Sequence, residues 1–282
     1  MADQLCPAPM TLAGRRFDWG SRTYVMGILN LTDDSFAGDG LGADVEAAVA
    51  QAERFAREGA DILDLGAEST RPGFTPVSVE QQIARLLPVL HRLRDACDLP
   101  LSVDTANGEV ARGALAAGAS LINDTGGLRG DGVAAAVAGA GAAAVAMHNQ
   151  RDRPFLDVVD DIRRGVGESF EAAAAAGLPR EQLIIDPGLG FGWEPAHNLE
   201  IVRRLGELRD LGRPILIGPS RKSTIGAVLD VPTNERWEGT AALVALGIAN
   251  GADIVRVHDV AAMRRVARMT DAVMRGWTPE NG

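Results

Sequence analysis

The chain has 282 residues, 46% of them hydrophobic, which suits one large domain or two small ones built on a sizeable core. Its formal net charge of -10 argues against general nucleic-acid binding, while leaving room for a local basic pocket that takes an anionic substrate. No apolar run reaches the roughly 18 residues that a membrane span needs, and the start "MADQLCPAPM" lacks the basic-then-apolar pattern of a secretory signal. The two cysteines, Cys6 and Cys97, have no metal-ligand spacing and read as free thiols of a cytoplasmic protein.

Residues 1–23 form an N-terminal extension in which "TLAGRRFDWGSR" predicts a small hairpin able to close a barrel floor. From 24 to 278 one pattern recurs: a helical segment ends in a small residue and Gly, then a short apolar strand begins, as in "EGADILDL", "AGASLIND" and "NGADIVRVHD". Strands are predicted at 24–29, 61–65, 100–103, 120–123, 142–147, 182–186, 214–217 and 253–257. They are continuous apolar runs, as parallel strands covered on both faces should be. The clearest helices between them are "DVEAAVAQAERFAREG" and "NLEIVRRLGELRDLG", with apolar residues at helical spacing. Gly59, Gly118, Gly141, Gly177, Gly212 and Gly251 fit helix C-caps. Eight strand–helix units in one domain have the rhythm of a (β/α)8 TIM barrel of the α/β class. A doubly wound sheet is the runner-up, and it would not need eight units.

In such a barrel chemistry sits where the strands end, and here every strand runs into a polar group. In chain order these are Asn30; Glu68, Thr70 and Arg71; Asp104; Asn123 and Asp124; Met147 with His148; Asp186; Ser220, Arg221, Lys222 and Ser223; and Arg256, His258 and Asp259. Asp124 and Asp259 read equally well as caps of the following helices. Asp64 and Asp253 read as strand-start residues, at the wrong end for chemistry. The cations Arg71, Lys222 and Arg256 suit a phosphate or pyrophosphate. Asp104, Asn123 and Asp186 suit a heterocycle with several N–H groups.

The segments "MGILNLTDDSF", "DLGAESTRPG", "SVDT", "INDTGGL", "IIDPGLGFG", "GPSRKSTIG", "EGTAA" and "IVRVHDV" follow one another in an order that resembles the dihydropteroate synthases, within the wider pterin-binding barrel family. The resemblance implies condensation of 6-hydroxymethyl-7,8-dihydropterin diphosphate with p-aminobenzoate. It matches Asp104, Asn123, Met147, Asp186 and Lys222 to the pterin, and Asn30, Arg71, Arg256 and His258 to the diphosphate. Asn30 is matched to Mg²⁺, and Phe36, Thr70, Pro72, Phe191, Lys222 and Ser223 to p-aminobenzoate. Asp104, Lys222 and Arg256 are the expected catalytic residues, and a homodimer is implied. Pyrophosphate leaves readily and the amine is a neutral nucleophile, so no strong base and no Ser or Cys nucleophile is expected.

The chain departs from the family pattern in several places. Asp33 replaces a proline, Gly38 stands where an acidic residue is usual with Asp39 next to it, Trp193 replaces a lysine, and Thr224 replaces a bulkier residue. Among the remaining candidates, His91 reads as a solvated helix residue, His197 as part of a helix start, His148 as a structural hydrogen-bonding residue, and Glu68 as orienting its own loop. Two other readings stay open. One is a methyltetrahydrofolate-to-corrinoid methyltransferase of the same fold; the other is a non-catalytic pterin-binding paralogue.

Overall fold

The structure, a computed structural model, describes residues 6–32, 44–68, 77–130, 132–150 and 153–278. An antiparallel hairpin comes first, β1 (Met10–Leu12) against β2 (Arg15–Phe17). Ala13 and Gly14 join them at φ 47° and 76°, the left-handed pair that a tight two-residue turn requires.

Eight parallel strands follow: β3 (Tyr24–Asn30), β4 (Ile62–Gly66), β5 (Leu101–Asp104), β6 (Leu121–Asp124), β7 (Ala143–Met147), β8 (Leu183–Asp186), β9 (Leu216–Ile217) and β10 (Ile254–Val257). Their hydrogen-bonded order is β8-β7-β6-β5-β4-β3-β10-β9. A parallel bridge between Ile185 and Ile215 joins the two ends of that order, so the barrel closes. The seventh barrel strand is the shortest, and just before it Ile215 gives its N–H to the Asp253 carboxylate at 2.9 Å.

The helices are α1 (Val45–Glu58), α2 (Val79–Ala96), α3 (Gly108–Ala116), α4 (Val133–Ala140), α5 (Val158–Ala175), α6 (Pro195–Arg204), α7 (Ser223–Leu229), α8 (Trp237–Ala249) and α9 (Val260–Arg275). Their ends are set locally. Asp44 accepts from Ala47 N to start α1, and a reciprocal Ser78–Gln81 capping box starts α2. The six predicted C-cap glycines all have φ between 64° and 112°.

The interior has two layers. Outward-facing strand residues such as Val25, Leu63, Leu65, Val103 and Val257 pack against the helices. Inward-facing residues Met26, Ile62, Leu121, Val145, Ile184, Leu216 and Ile254 pack against Met10, Leu12, Phe17 and Trp19 of the hairpin segment. The hairpin plugs the floor with apolar side chains, so polar groups on the same inward face sit higher, toward the strand ends.

Candidate active site at the strand ends

Side chains alternate along a strand, so the residue two places beyond an inward floor residue also points inward. From Ile62 this leads to Asp64, from Leu121 to Asn123, from Ile184 to Asp186 and from Ile254 to Arg256. Asp64, expected from sequence at the wrong end of its strand, is instead the middle residue of β4 and is fully buried. Its Oδ1 accepts from Ser102 Oγ at 2.6 Å. Its Oδ2 accepts from Asn123 Nδ2 at 3.0 Å and from Arg256 Nε at 2.6 Å. A terminal nitrogen of Arg256 then donates to Asp104 Oδ2 at 2.9 Å.

This network orients two of the predicted residues. A carboxylate only accepts, so the amide nitrogen of Asn123 must face Asp64, which gives the Asn123 carbonyl oxygen to the other side. Arg256 is held from both ends of its guanidinium by two carboxylates. Burial pushes Asp104 up to about 7, against the pull of Arg256.

Across the barrel, Asp186 is 7% exposed and accepts from Gly188 N at 2.7 Å. Burial pushes its carboxyl up to about 6, while the Gly188 N–H, Lys222 and Arg256 pull the other way. Met147 is its register partner on β7 and is buried beside it. Gly188 lies at φ +76°, and a Cβ there would sit 1.9 Å from the carbonyl oxygen of His148. The loop can pass that close only as glycine, which fixes the turn beneath Asp186.

Lys222 occupies the N-cap position of α7, and Ser223, exposed, is the first residue of that helix. The Lys222 ammonium lies 4.5 Å from the centroid of the Phe191 ring, a cation–π arrangement. Burial and the nearby Arg256 push Lys222 down to about 8. His258 bonds to Ser220 Oγ through Nδ1 at 2.8 Å and through its backbone N–H at 3.2 Å. Asn30 is half-buried at the end of β3.

Several predicted residues resolve as structural. The His148 ring is bonded to Asp161 at 2.9 Å with both side chains buried. Asp124 accepts from Gly126 N and Leu128 N, each at 2.6 Å, which shapes a loop without capping a helix. Asp259 stands at the N-cap position of α9 but bonds to Arg221. Glu68 accepts from Val77 N at 3.2 Å, across the ends of its loop. His197 lies in the first turn of α6 and His91 is exposed on α2. Trp193 is buried and lies edge-on to Phe155, with ring centroids 5.2 Å apart. Phe36, Thr70, Arg71 and Pro72, with Asp33, Gly38 and Asp39, lie outside the described residues. Sequence reasoning placed Asp64 at the wrong end of its strand, and it missed Ser102 and the bond that joins Ser220 to His258. The signal for Asp64 was a charge inside an otherwise apolar strand.

Residues 26–258 match the family described as pterin binding enzyme. The dihydropteroate synthase of Clostridium beijerinckii is 42% identical over 268 residues, spanning 94% of this chain and 100% of its own. The solved dihydropteroate synthase of Yersinia pestis with a sulfonamide drug superposes with a TM-score of 0.90 at 37% identity, covering 96% of this chain and 100% of that one. That of Xanthomonas albilineans with 4-aminobenzoic acid superposes with a TM-score of 0.88 at 44% identity, covering 95% and 98%.

Proposed function

This chain belongs to the dihydropteroate synthase family of pterin-binding enzymes, and on that premise we propose how its own residues carry out the family's reaction. It is a transferase that condenses 6-hydroxymethyl-7,8-dihydropterin diphosphate with p-aminobenzoate to give 7,8-dihydropteroate and pyrophosphate, in folate biosynthesis. The observation that carries the residue assignment is the convergence on one rim of acceptors, Asp186 and Asn123, with the cations Lys222 and Arg256, linked through the Arg256–Asp104 bond.

In this reading Asp186 accepts N–H bonds from the amino-pyrimidinone edge of the pterin, the Asn123 carbonyl takes another, and Met147 packs beside the ring. Arg256 and His258, with Asn30 and Arg71, hold the diphosphate. As the bond between the methylene carbon and the diphosphate oxygen breaks, positive charge grows on that carbon and spreads into the ring. The carboxylate of Asp104 stabilises it. The p-aminobenzoate nitrogen, lying among Phe36, Thr70, Pro72, Phe191, Lys222 and Ser223, forms the new carbon–nitrogen bond with its lone pair. The ammonium so formed passes its extra proton to water or to the departing pyrophosphate.

Among the described residues there is no group of three or more His, Cys, Asp or Glu that could hold a metal. The donor set, one amide oxygen from Asn30, fits a Mg²⁺ that keeps several waters and borrows substrate oxygens. When bound, that ion would neutralise charge on the leaving pyrophosphate.

The reading extends to a cytoplasmic homodimer. The described cysteines are free thiols, and among the described residues no helix is long and apolar enough to cross a membrane. Leu246 of α8 and Met269, Val273 and Met274 of α9 leave apolar side chains exposed, a face that a second copy would cover. Sedimentation that gives only monomer at micromolar concentration would remove the dimer. The reaction itself is tested by pyrophosphate release: it should require p-aminobenzoate and yield dihydropteroate. Release without the arylamine, or methyl transfer to a corrinoid, would overturn it.

A further inference from the structure

Leu63 and Leu65 of β4 are fully buried against the helices, and the residue between them is a carboxylate that is also fully buried. Burying a charge is costly unless each of its lone pairs is met by a donor. At Asp64 three donors meet it, from Ser102, Asn123 and Arg256, so the side chain ties β4 to β5, β6 and β10. One oxygen, Oδ2, accepts from both Asn123 and Arg256.

We infer that Asp64 is a positioning residue of the condensation: it turns the Asn123 carbonyl toward the pterin, and it pins Arg256 through Nε so that the far side of the guanidinium serves Asp104 and the leaving group. The inference rests on the assignment of rim residues given above. It follows from the chemistry of the atoms involved. An accept-only carboxylate leaves Asn123 one orientation. A guanidinium held at Nε keeps its two terminal nitrogens for other partners, and one of them already meets Asp104. Because both contacts share one oxygen atom, the pterin-binding amide and the leaving-group cation are kept in register. Without the charge on Asp64, Asp104 becomes the nearer counter-ion and draws the guanidinium toward itself. That takes the cation away from the pyrophosphate and cancels the charge that Asp104 supplies to the methylene carbon.

Two variants test this. Asp64→Asn is isosteric and can keep all three hydrogen bonds, with its oxygen toward Asn123 and Arg256 and its amide toward a Ser102 hydroxyl that now accepts. It should fold, bind 6-hydroxymethyl-7,8-dihydropterin within about threefold of the wild type by calorimetry, and lose roughly tenfold in kcat as a charged bond becomes a neutral one. A kcat within about twofold of the wild type, or a pterin affinity that falls in step with kcat, would overturn the inference. Asp64→Ala removes the acceptors altogether. Asn123→Ala should cost at least about tenfold in pterin affinity in the wild type but under about threefold on the Asp64→Ala background, since the amide there is no longer held. Equal costs on the two backgrounds would make Asp64 a packing residue. If Asp64→Ala does not fold, the split between affinity and kcat in Asp64→Asn decides alone. If the wild type binds the pterin yet forms no dihydropteroate, the proposed reaction fails, and the affinity cycle between residues 64 and 123 still judges Asp64.

Discussion

Arg256 donates to Asp104 across the mouth of the barrel at 2.9 Å, joining the last barrel strand to the third. The group proposed to stabilise the methylene cation is thus bonded, before substrate arrives, to the group proposed to take the leaving pyrophosphate. On that proposal, a diphosphate that engages Arg256 on binding competes for the guanidinium and leaves more charge on Asp104 for the step in which the carbon–oxygen bond breaks. Asp104→Asn keeps the shape and removes the charge, so kcat should fall by roughly 10²-fold while pterin affinity falls by less. Calorimetry beside steady-state rates checks this. A variant that loses only affinity would make Asp104 a binding residue.

The pH dependence follows from the burial of Asp186 and Lys222. Folding raises the Asp186 carboxyl to about 6, so its contribution to stability is present in acid and is lost as pH rises through that value. Folding lowers Lys222 to about 8, so its contribution is present in alkali and is lost as pH falls through that value. Between the two, both groups are charged at a cost to the unliganded protein, and a ligand that pairs with them recovers it. The profile of kcat/KM should therefore be a bell whose acid limb spans about 6 to 7, where Asp186 and then the catalytic carboxylate of Asp104 ionise, and whose alkaline limb lies near about 8. Asp186→Asn should remove the part of the acid limb near about 6 and leave the part near about 7 that Asp104 sets, while lowering the plateau. A profile flat from about pH 5 to 9 would show that neither group has to be charged for substrate to bind.

The fold was legible because its signals are local. Each glycine cap needs only its own φ, and each parallel strand announces its end by turning from apolar to polar on the same rim. The same feature hid Asp64. A strand buried on both faces reads as one apolar run, so the lone charge between Leu63 and Leu65 marks Asp64 as unusual without saying that it points inward to the site. Its strongest partner, Arg256, is 192 positions away, and no spacing rule reaches that far. Phe191 is a different case. An aromatic residue in a rim loop gives no reason to choose between core and site until its ring is found 4.5 Å from the Lys222 ammonium. The short α7 was not predicted, because seven residues after a Ser-Arg-Lys loop give too little periodicity to read.

The Phe191–Lys222 contact also bears on the proposed arylamine side. At 4.5 Å the Lys222 ammonium and the Phe191 face leave no room for a ring between them, so a flat anionic ring would lie beside the pair, next to the exposed Ser223 N-terminal turn of α7. Sulfonamides share that flat arylamine outline, so they should compete with p-aminobenzoate. Raising p-aminobenzoate at a fixed sulfonamide concentration should restore the full rate. Inhibition that no concentration of p-aminobenzoate relieves would place the drug elsewhere.

Trp193 fills space behind this loop. Its ring is 7% exposed and packs at centroid distances of 5.2 Å from Phe155, 5.7 Å from His148 and 6.1 Å from His197, while Nε1 donates to Pro187 O at 3.4 Å. Pro187 follows Asp186 directly, so the indole props the turn that carries the proposed pterin acceptor. Trp193→Ala should cost about 3–5 kcal/mol, the range for emptying a buried aromatic site, read from urea unfolding. Trp193→Lys should cost more, because the ammonium would enter a site walled by Phe155 and by His148, whose ring burial already holds below its ordinary value. The folded fraction of Trp193→Ala should also bind pterin more weakly than the wild type, through loss of support beneath Pro187. A variant as stable as the wild type would mean that the cluster relaxes around the missing ring. A destabilised variant with unchanged pterin affinity would mean that Gly188 alone fixes the turn.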